Sequence, residues 1–120
     1  MGFAFNPFTG SFDVINPTWI RIAGSIGGTS STVVDTIPLA EFGSLDYKVG
    51  IHNAAKTEGR HFNINILNLS STLKDNIYGR VSGSLNVTVA ASINGANMEL
   101  TITNNELFDV DYSIGKLVLT

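Results

Sequence analysis

The residues that could carry chemistry are few and scattered. There is no cysteine, which excludes thiolate sites, and the two histidines, His52 and His61, show neither HxH nor HExxH spacing. Asp109 and Asp111 stand two residues apart, and a carboxylate pair could serve glycoside hydrolysis. The simpler interpretation is that these charges are solvated and discourage edge-to-edge pairing of strands. We therefore expect a non-enzymatic protein with no catalytic residues, no metal and no cofactor.

Serine- and glycine-rich stretches add no reactive motif. The serine pairs at 30–31 and 70–71 lack the G-x-S-x-G context of a nucleophilic serine. The stretch 24–28, Gly-Ser-Ile-Gly-Gly, matches neither a P-loop nor a dinucleotide-binding fingerprint. These patterns favour a protein that binds or assembles.

Composition limits the fold class and the partners. The 120 residues are 43% hydrophobic and 14% charged, with twelve glycines, which suits β-sheets with tight turns better than solvated helices. The net charge is −3 and the seven basic residues are spread singly, so we expect no nucleic-acid partner. We also expect no membrane span, because no run of about twenty apolar residues exists. The N-terminus lacks the basic and apolar regions of a signal peptide.

Residues 85–103 predict a β-hairpin. Every second residue from Leu85 to Ile93 is apolar, which places one face in a core and the other in solvent. Asn94-Gly95 tolerates the positive φ of a tight turn, and the alternation resumes at Met98. A dry face of this length needs a second sheet to cover it.

The remaining chain supplies further short strands between polar turns. They are predicted at 32–37, 45–51, 61–69, 77–82, 108–111 and 112–119, with a short helix only around 38–42. Such spacing is typical of all-β domains. We predict an antiparallel β-sandwich, jelly-roll-like, over residues 33–120. A short strand and a Gly/Ser/Thr linker should precede it over residues 19–32.

Residues 1–18 have a composition of their own. They hold four of the seven phenylalanines and two of the three prolines. Because the prolines exclude a long helix or a central strand, we predict an extended N-terminal arm. Burying one phenylalanine is worth about 1.5–3 kcal/mol, so the four rings should dock, either on the domain's own sandwich or in a groove on another subunit. In the second case the anchoring residues are Phe3, Phe5, Asn6, Pro7, Phe8 and Phe12.

The larger aromatic residues divide into core and surface positions. Tyr47 and Tyr112 fall on the inward faces of their predicted strands and should pack in the core. Trp19 and Tyr78 are the candidate ligand-facing aromatics. Because they could form platforms on which sugars stack, a carbohydrate-binding module is one alternative function.

Two stretches resemble known proteins. Asn6-Pro7-Phe8-Thr9-Gly10-Ser11-Phe12-Asp13 resembles the N-terminal NPFTGxxD segment of tail-fibre and other virion proteins of tailed bacteriophages. A looser pattern over 33–120 is similar to small phage virion β-sandwiches. It comprises Asp35, Phe42 to Tyr47, Phe62 to Leu69, Tyr78-Gly79 and Gly83-Ser84-Leu85. That family's usual Glu and its His-Asp-Gly turn have no counterpart here, where Asn63, Asn65 and residues 68–72 stand in their region.

The resemblance implies a virion structural protein of the tail-fibre, baseplate or neck region. Its N-terminal segment would attach to other virion proteins, and the sandwich would be displayed outward as a homo-oligomer, with a trimer favoured. It would be made in the host cytoplasm and reside in the phage particle. A capsid decoration protein with the same arm is a further alternative, and a host-surface glycan is a candidate ligand.

Overall fold

The protein is built from β-strands. The computed structural model describes the backbone of residues 2–6, 11–16, 19–69, 72–82 and 85–119, and the side chains of residues 19–69, 72–77 and 85–119. The strands within these ranges are β1 Gly2–Asn6, β2 Ser11–Asn16, β3 Ile20–Ile26, β4 Ser30–Pro38, β5 Ser44–Asn53, β6 Gly59–Leu69, β7 Thr72–Ser82, β8 Val87–Asn94, β9 Asn97–Asn104 and β10 Val110–Leu119. A 3-10 turn, Leu39–Glu41, follows β4 where the sequence allows a short helix.

Two antiparallel sheets form the predicted sandwich. The five-stranded sheet has the order β3-β10-β5-β6-β7, and the three-stranded sheet has the order β4-β9-β8. Buried residues of both sheets make one hydrophobic cluster, so the sheets pack face to face. Strands β1 and β2 pair with each other in a separate two-stranded antiparallel ladder.

The hairpin predicted from the 85–103 pattern is confirmed. β8 and β9 pair in register up to Asn94 opposite Asn97, and Gly95 in the turn has φ of 62°. The side chains of Leu85 and Val87 and alternate residues of β9 from Met98 are fully buried. Ile93 is half-exposed because it lies beside the turn, where the facing sheet no longer covers it.

Residues 24–32 differ from the expected linker. Gly24 to Ile26 end β3, which pairs with β10, and Ser30 already begins β4, which pairs with β9. Only Gly27 to Thr29 connect the two strands. Gly24 interrupts the alternation of Ile20, Ile22 and Ile26, so the sequence predicts a short strand at the start of β3 and not its second half.

The other edge strand of the five-stranded sheet is longer than the sequence predicts. The sequence predicts a loop up to residue 76, yet β7 begins at Thr72 and pairs with β6 from Leu69 opposite Thr72. Residues 74–76 are polar, so this part of β7 shows no alternation of apolar side chains. An edge strand pairs on one side only, and charged residues on it prevent edge-to-edge pairing with other molecules.

A β-bulge in β4 turns Asp35 toward the interior. Val33 pairs with Thr101 and Asp35 with Leu100, so Val34 is one extra residue on β4. Val33 is exposed, whereas Val34 is buried. In a regular strand Asp35 would share the solvent face of Val33. The extra residue therefore aims a carboxylate between the sheets.

Asp35 binds a cation that comes from the opposite sheet. Lys116 Nζ of β10 lies 3.0 Å from Asp35 Oδ2, and the two side chains are only 11% and 10% exposed. The Tyr47 hydroxyl of β5 donates a 2.6 Å hydrogen bond to the same oxygen. Lys116 and Tyr47 lie directly opposite each other in the β10–β5 ladder. These three residues, here called the Asp35 cluster, join the two sheets. The inward position predicted for Tyr47 is confirmed, and Tyr112 also packs against the core.

Removing one charge of the Asp35 cluster should cost more stability than removing both. Asp35→Asn leaves a buried ammonium and Lys116→Met leaves a buried carboxylate, so each should lower the free energy of unfolding by about 3–5 kcal/mol. The double variant buries no charge, and the amide oxygen introduced at position 35 can still accept the Tyr47 hydrogen bond. It should lose less than either single variant in urea denaturation. A double variant that loses the sum of the two single effects would contradict the pairing.

The same cluster should make stability fall in alkaline solution. Burial raises the pKa of Tyr47 above its ordinary value of about 10, and the hydrogen bond to Asp35 and its negative charge raise it further. Above about pH 10 the unfolded chain loses the Tyr47 proton while the folded protein keeps it. This group therefore lowers the free energy of unfolding by about 1.4 kcal/mol per pH unit. Tyr47→Phe should lack this contribution, and equal alkaline slopes for the two proteins in urea titrations would refute it.

Candidate binding surfaces

Four of the predicted anchor residues lie in β1 and β2, and the other two lie between these strands, outside the described residues. Phe3, Phe5 and Asn6 lie in β1 and Phe12 lies in β2, where Phe5 and Phe12 occupy opposite register positions. Their side chains lie outside the described part of the chain, as do Pro7 and Phe8 altogether. Anchoring by these residues stays a prediction.

Of the two candidate ligand-facing aromatics, Trp19 has a described side chain. It precedes β3, is 44% exposed, and its six-membered ring lies over Gly115 of β10. A Cβ added at Gly115 would come within 3.4 Å of the Trp19 Cε3 atom, so glycine gives the indole room to lie close to the sheet. Tyr78 occupies the position of β7 opposite Asn63, but its side chain is outside the described residues.

The outer face of the five-stranded sheet surrounds Trp19 with polar side chains. Gly115 is paired with Arg21 on one side and with Lys48 on the other, so the three residues share one face. Both cationic side chains are exposed. The next position of β10 on this face is Ser113, whose hydroxyl lies 3.5 Å from Arg21 Nε. We call this region, defined by Trp19, Arg21, Lys48, Ser113 and Gly115, the Trp19 face.

A cavity of about 500 Å³ opens on the same sheet at the end where β10 finishes. Its lining combines carboxylates, an ammonium group, amides and two exposed leucines, so it offers both hydrogen-bond donors and acceptors. The lining residues are Ser44, Asp46, Asn65, Ile66, Leu67, Lys74, Asp75, Asn76 and Leu119.

Asn104 fixes the loops at the opposite end of the sandwich. It is fully buried, and its amide nitrogen donates to the carbonyl oxygens of Ile26, Gly27 and Phe108 at 3.3, 3.1 and 2.9 Å. Its amide oxygen accepts the Glu106 N–H at 3.0 Å. One side chain therefore ties the β3–β4 connection to the β9–β10 loop. Sequence reasoning missed Asn104. The available signal was that a polar residue continues the alternating series of inward-facing positions in β9.

Further hydrogen bonds hold the β9–β10 loop against the β3–β4 connection. The Gly28 N–H donates to Asp109 Oδ1 at 3.1 Å, and the Thr29 N–H donates to the Glu106 carbonyl at 2.8 Å. Gly28 must be glycine, because a Cβ there would lie 2.5 Å from the Leu107 carbonyl oxygen. On this fixed backbone Leu107 is 91% exposed.

The carboxylates and imidazoles considered for chemistry have local partners. Asp109 accepts a backbone N–H, as just described, and Asp111 Oδ1 accepts the Ser25 hydroxyl at 2.6 Å. The His52 Nδ1 atom lies 2.8 Å from the Asn53 carbonyl oxygen, and His61 Nε2 lies 3.4 Å from Asn63 Oδ1. Within the described ranges, no three His, Cys, Asp or Glu side chains gather as metal ligands would. No helix in the described part of the chain has the length and hydrophobicity to cross a membrane.

Comparisons with known proteins give matches only among solved structures. No protein-family model and no curated protein sequence matches the chain. The tailspike protein of Acinetobacter baumannii phage AM24 is similar with a TM-score of 0.47 and 6% identity, covering 85% of this chain and 26% of the tailspike. The tailspike protein gp49 of Acinetobacter baumannii bacteriophage Fri1, described as a capsular polysaccharide depolymerase, gives a TM-score of 0.48 and 13% identity. That match covers 98% of this chain and 20% of the tailspike. The chain thus spans about a quarter or less of these structural neighbours.

Removing the Asn104 side chain should destabilise the domain. Asn104→Ala leaves the carbonyl oxygens of Ile26, Gly27 and Phe108 and the Glu106 N–H without this partner, which should lower the free energy of unfolding by about 2–4 kcal/mol. The neighbouring Asn105→Ala, at an exposed position, is the matched control and should stay within about 0.5 kcal/mol of the parent protein. Thermal and urea denaturation of both variants check this. Equal stabilities of the two variants would show that Asn104 does not secure the loops.

Proposed function

We propose that this chain is a non-enzymatic structural protein of a tailed-phage virion, a component or adaptor of the tail fibre, baseplate or neck. Residues 1–18 would anchor it to other virion proteins, and the sandwich would be displayed from the particle. The observation that carries the proposal is the Asn6-Pro7-Phe8-Thr9-Gly10 segment within an arm that holds four phenylalanines.

The energetics of the arm support an anchoring role. The free energy of a phenylalanine side chain is about 1.5–3 kcal/mol higher in water than in a buried site. Four of them close together, with few charged residues among them, therefore favour a partner surface. The anchoring residues in this proposal are Phe3, Phe5, Asn6, Pro7, Phe8 and Phe12.

The sandwich provides a body that the arm can attach. Within the described residues, one hydrophobic core contains side chains of both sheets, and its members run along the sequence from Ile26 in β3 to Ile114 in β10. The Asp35 cluster and Asn104 add polar links between elements that are distant in sequence. Such a body suits a spacer or adaptor. We further propose that it acts as a homo-oligomer, with a trimer favoured, since virion appendages are built on closed symmetry.

Deleting residues 2–16 should abolish incorporation into particles while the sandwich stays folded. The arm supplies the proposed contacts to the virion, and the described core lies outside it. Particles assembled with the deleted protein are purified and probed for the chain, and circular dichroism and thermal unfolding of the purified protein check its fold. A second variant, Phe5→Ser with Phe8→Ser and Phe12→Ser, tests the rings alone.

Leu107→Ser is the matched control, since it also removes an exposed apolar side chain but lies outside the arm. It should be incorporated normally. Normal incorporation of the deleted protein would overturn the anchoring role. Cryo-electron microscopy of labelled particles distinguishes a tail location from a head location. Density on the tail supports the proposal, and density on the head would replace it by a capsid decoration role.

A further inference from the structure

We propose that the Trp19 face is a binding site for an acidic saccharide, a sugar ring that carries a carboxylate. The ring would lie against the Trp19 indole, and Arg21 and Lys48 would bind its carboxylate from the two sides. This inference stands on the geometry of the sheet and does not rest on the anchoring role of the arm.

The first step is the position of the indole. Trp19 is the only tryptophan in the sequence, and its side chain is 44% exposed although it could have been buried in a sandwich of this size. It is seated over Gly115, a position without a side chain, on a strand that has a neighbour on either side. An indole held in this way offers a large apolar surface with one N–H donor to a ligand.

The second step is the charge on either side of the indole. Arg21 and Lys48 flank Gly115 on β3 and β5, and two interstrand spacings place their backbones about 9–10 Å apart. The one salt bridge among residues with described side chains joins Lys116 to Asp35, so neither cation has a carboxylate partner there. Two cations without such partners, on each side of an aromatic surface, complement an anion located between them.

The third step is the class of ligand. β10 lies between β3 and β5, so its backbone groups are used in ladders and the face offers only side chains. Next to this face the edge open for pairing is that of β3, so a peptide strand would lie beside β3 and not over β10, where the indole lies. The floor near Trp19 is shallow, with Ser113 and Gly115 on β10 and Gly50 opposite Ser113 on β5. A pyranose ring has an apolar C–H face, several hydroxyls and, in a uronic acid, one carboxylate, so it fits a shallow floor, an apolar platform and two cations.

The test uses trigalacturonic acid as the probe and the full-length protein. Because Trp19 is the only indole, its fluorescence reports on this face directly, and calorimetry measures the affinity. We expect saturable binding that changes the fluorescence and weakens with salt. Trp19→Ala should abolish the binding. Arg21→Gln and Lys48→Gln should each weaken it by roughly three- to tenfold.

Two controls keep the proposal falsifiable. The methyl-esterified trisaccharide has the same rings without charge, and its affinity should fall by about tenfold or more. Lys56→Gln removes an exposed cation from the β5–β6 connection, away from the Trp19 face, and should bind like the parent protein. Equal binding of the ester and the acid would overturn the charge recognition, and an equal loss in Lys56→Gln would mean unspecific attraction. No binding at millimolar probe would overturn the site. Incorporation into particles is a separate readout, so this proposal and the anchoring role fail independently.

Discussion

The contact between Asp35 and Lys116 is the constraint on which the arrangement of the two sheets depends. An ion pair between sheets costs the hydration of both groups, and their attraction offsets this only when the geometry is good. The geometry is supplied by the extra residue Val34, which turns Asp35 inward, and by Tyr47, which shares the carboxylate. A slip of β4 by one residue along β9 would leave Lys116 buried without a partner. The same slip would move the apolar side chains of β4 to the solvent face, so the cluster and the hydrophobic core specify the same register.

Sequence periodicity was sufficient to predict the strands that bury one face in the core. The hairpin, the inward Tyr47 and the sandwich itself follow from alternating apolar residues and from the Asn94-Gly95 turn. It found only part of β3 and β7 and missed residues 24–26 and 72–76, because edge strands have one neighbour and need little apolar alternation. The bulge at Val34 was equally hidden, since one inserted residue changes the face of a side chain without changing composition. The Trp19 face could be predicted only as an exposed aromatic, because its cations come from β3 and β5.

Opposite regions of the sandwich present different chemistry. The Trp19 face is polar and cationic around one indole, and its floor on β10 lies between two paired strands. The end of the molecule near Leu107 exposes this apolar side chain on loops that Asn104 and Asp109 hold in place.

The pairing of β3 with β10 also governs when the domain can form. Among the described strands β3 has no other neighbour in its sheet, and residues 20–26 pair with residues 110–116 at the far end of the sandwich sequence. During synthesis β3 therefore waits, with its backbone unpaired, until β10 has left the ribosome. Long-range closure of this kind slows folding. The aromatic residues upstream of β3 are therefore synthesised well before the strand that pairs with β3.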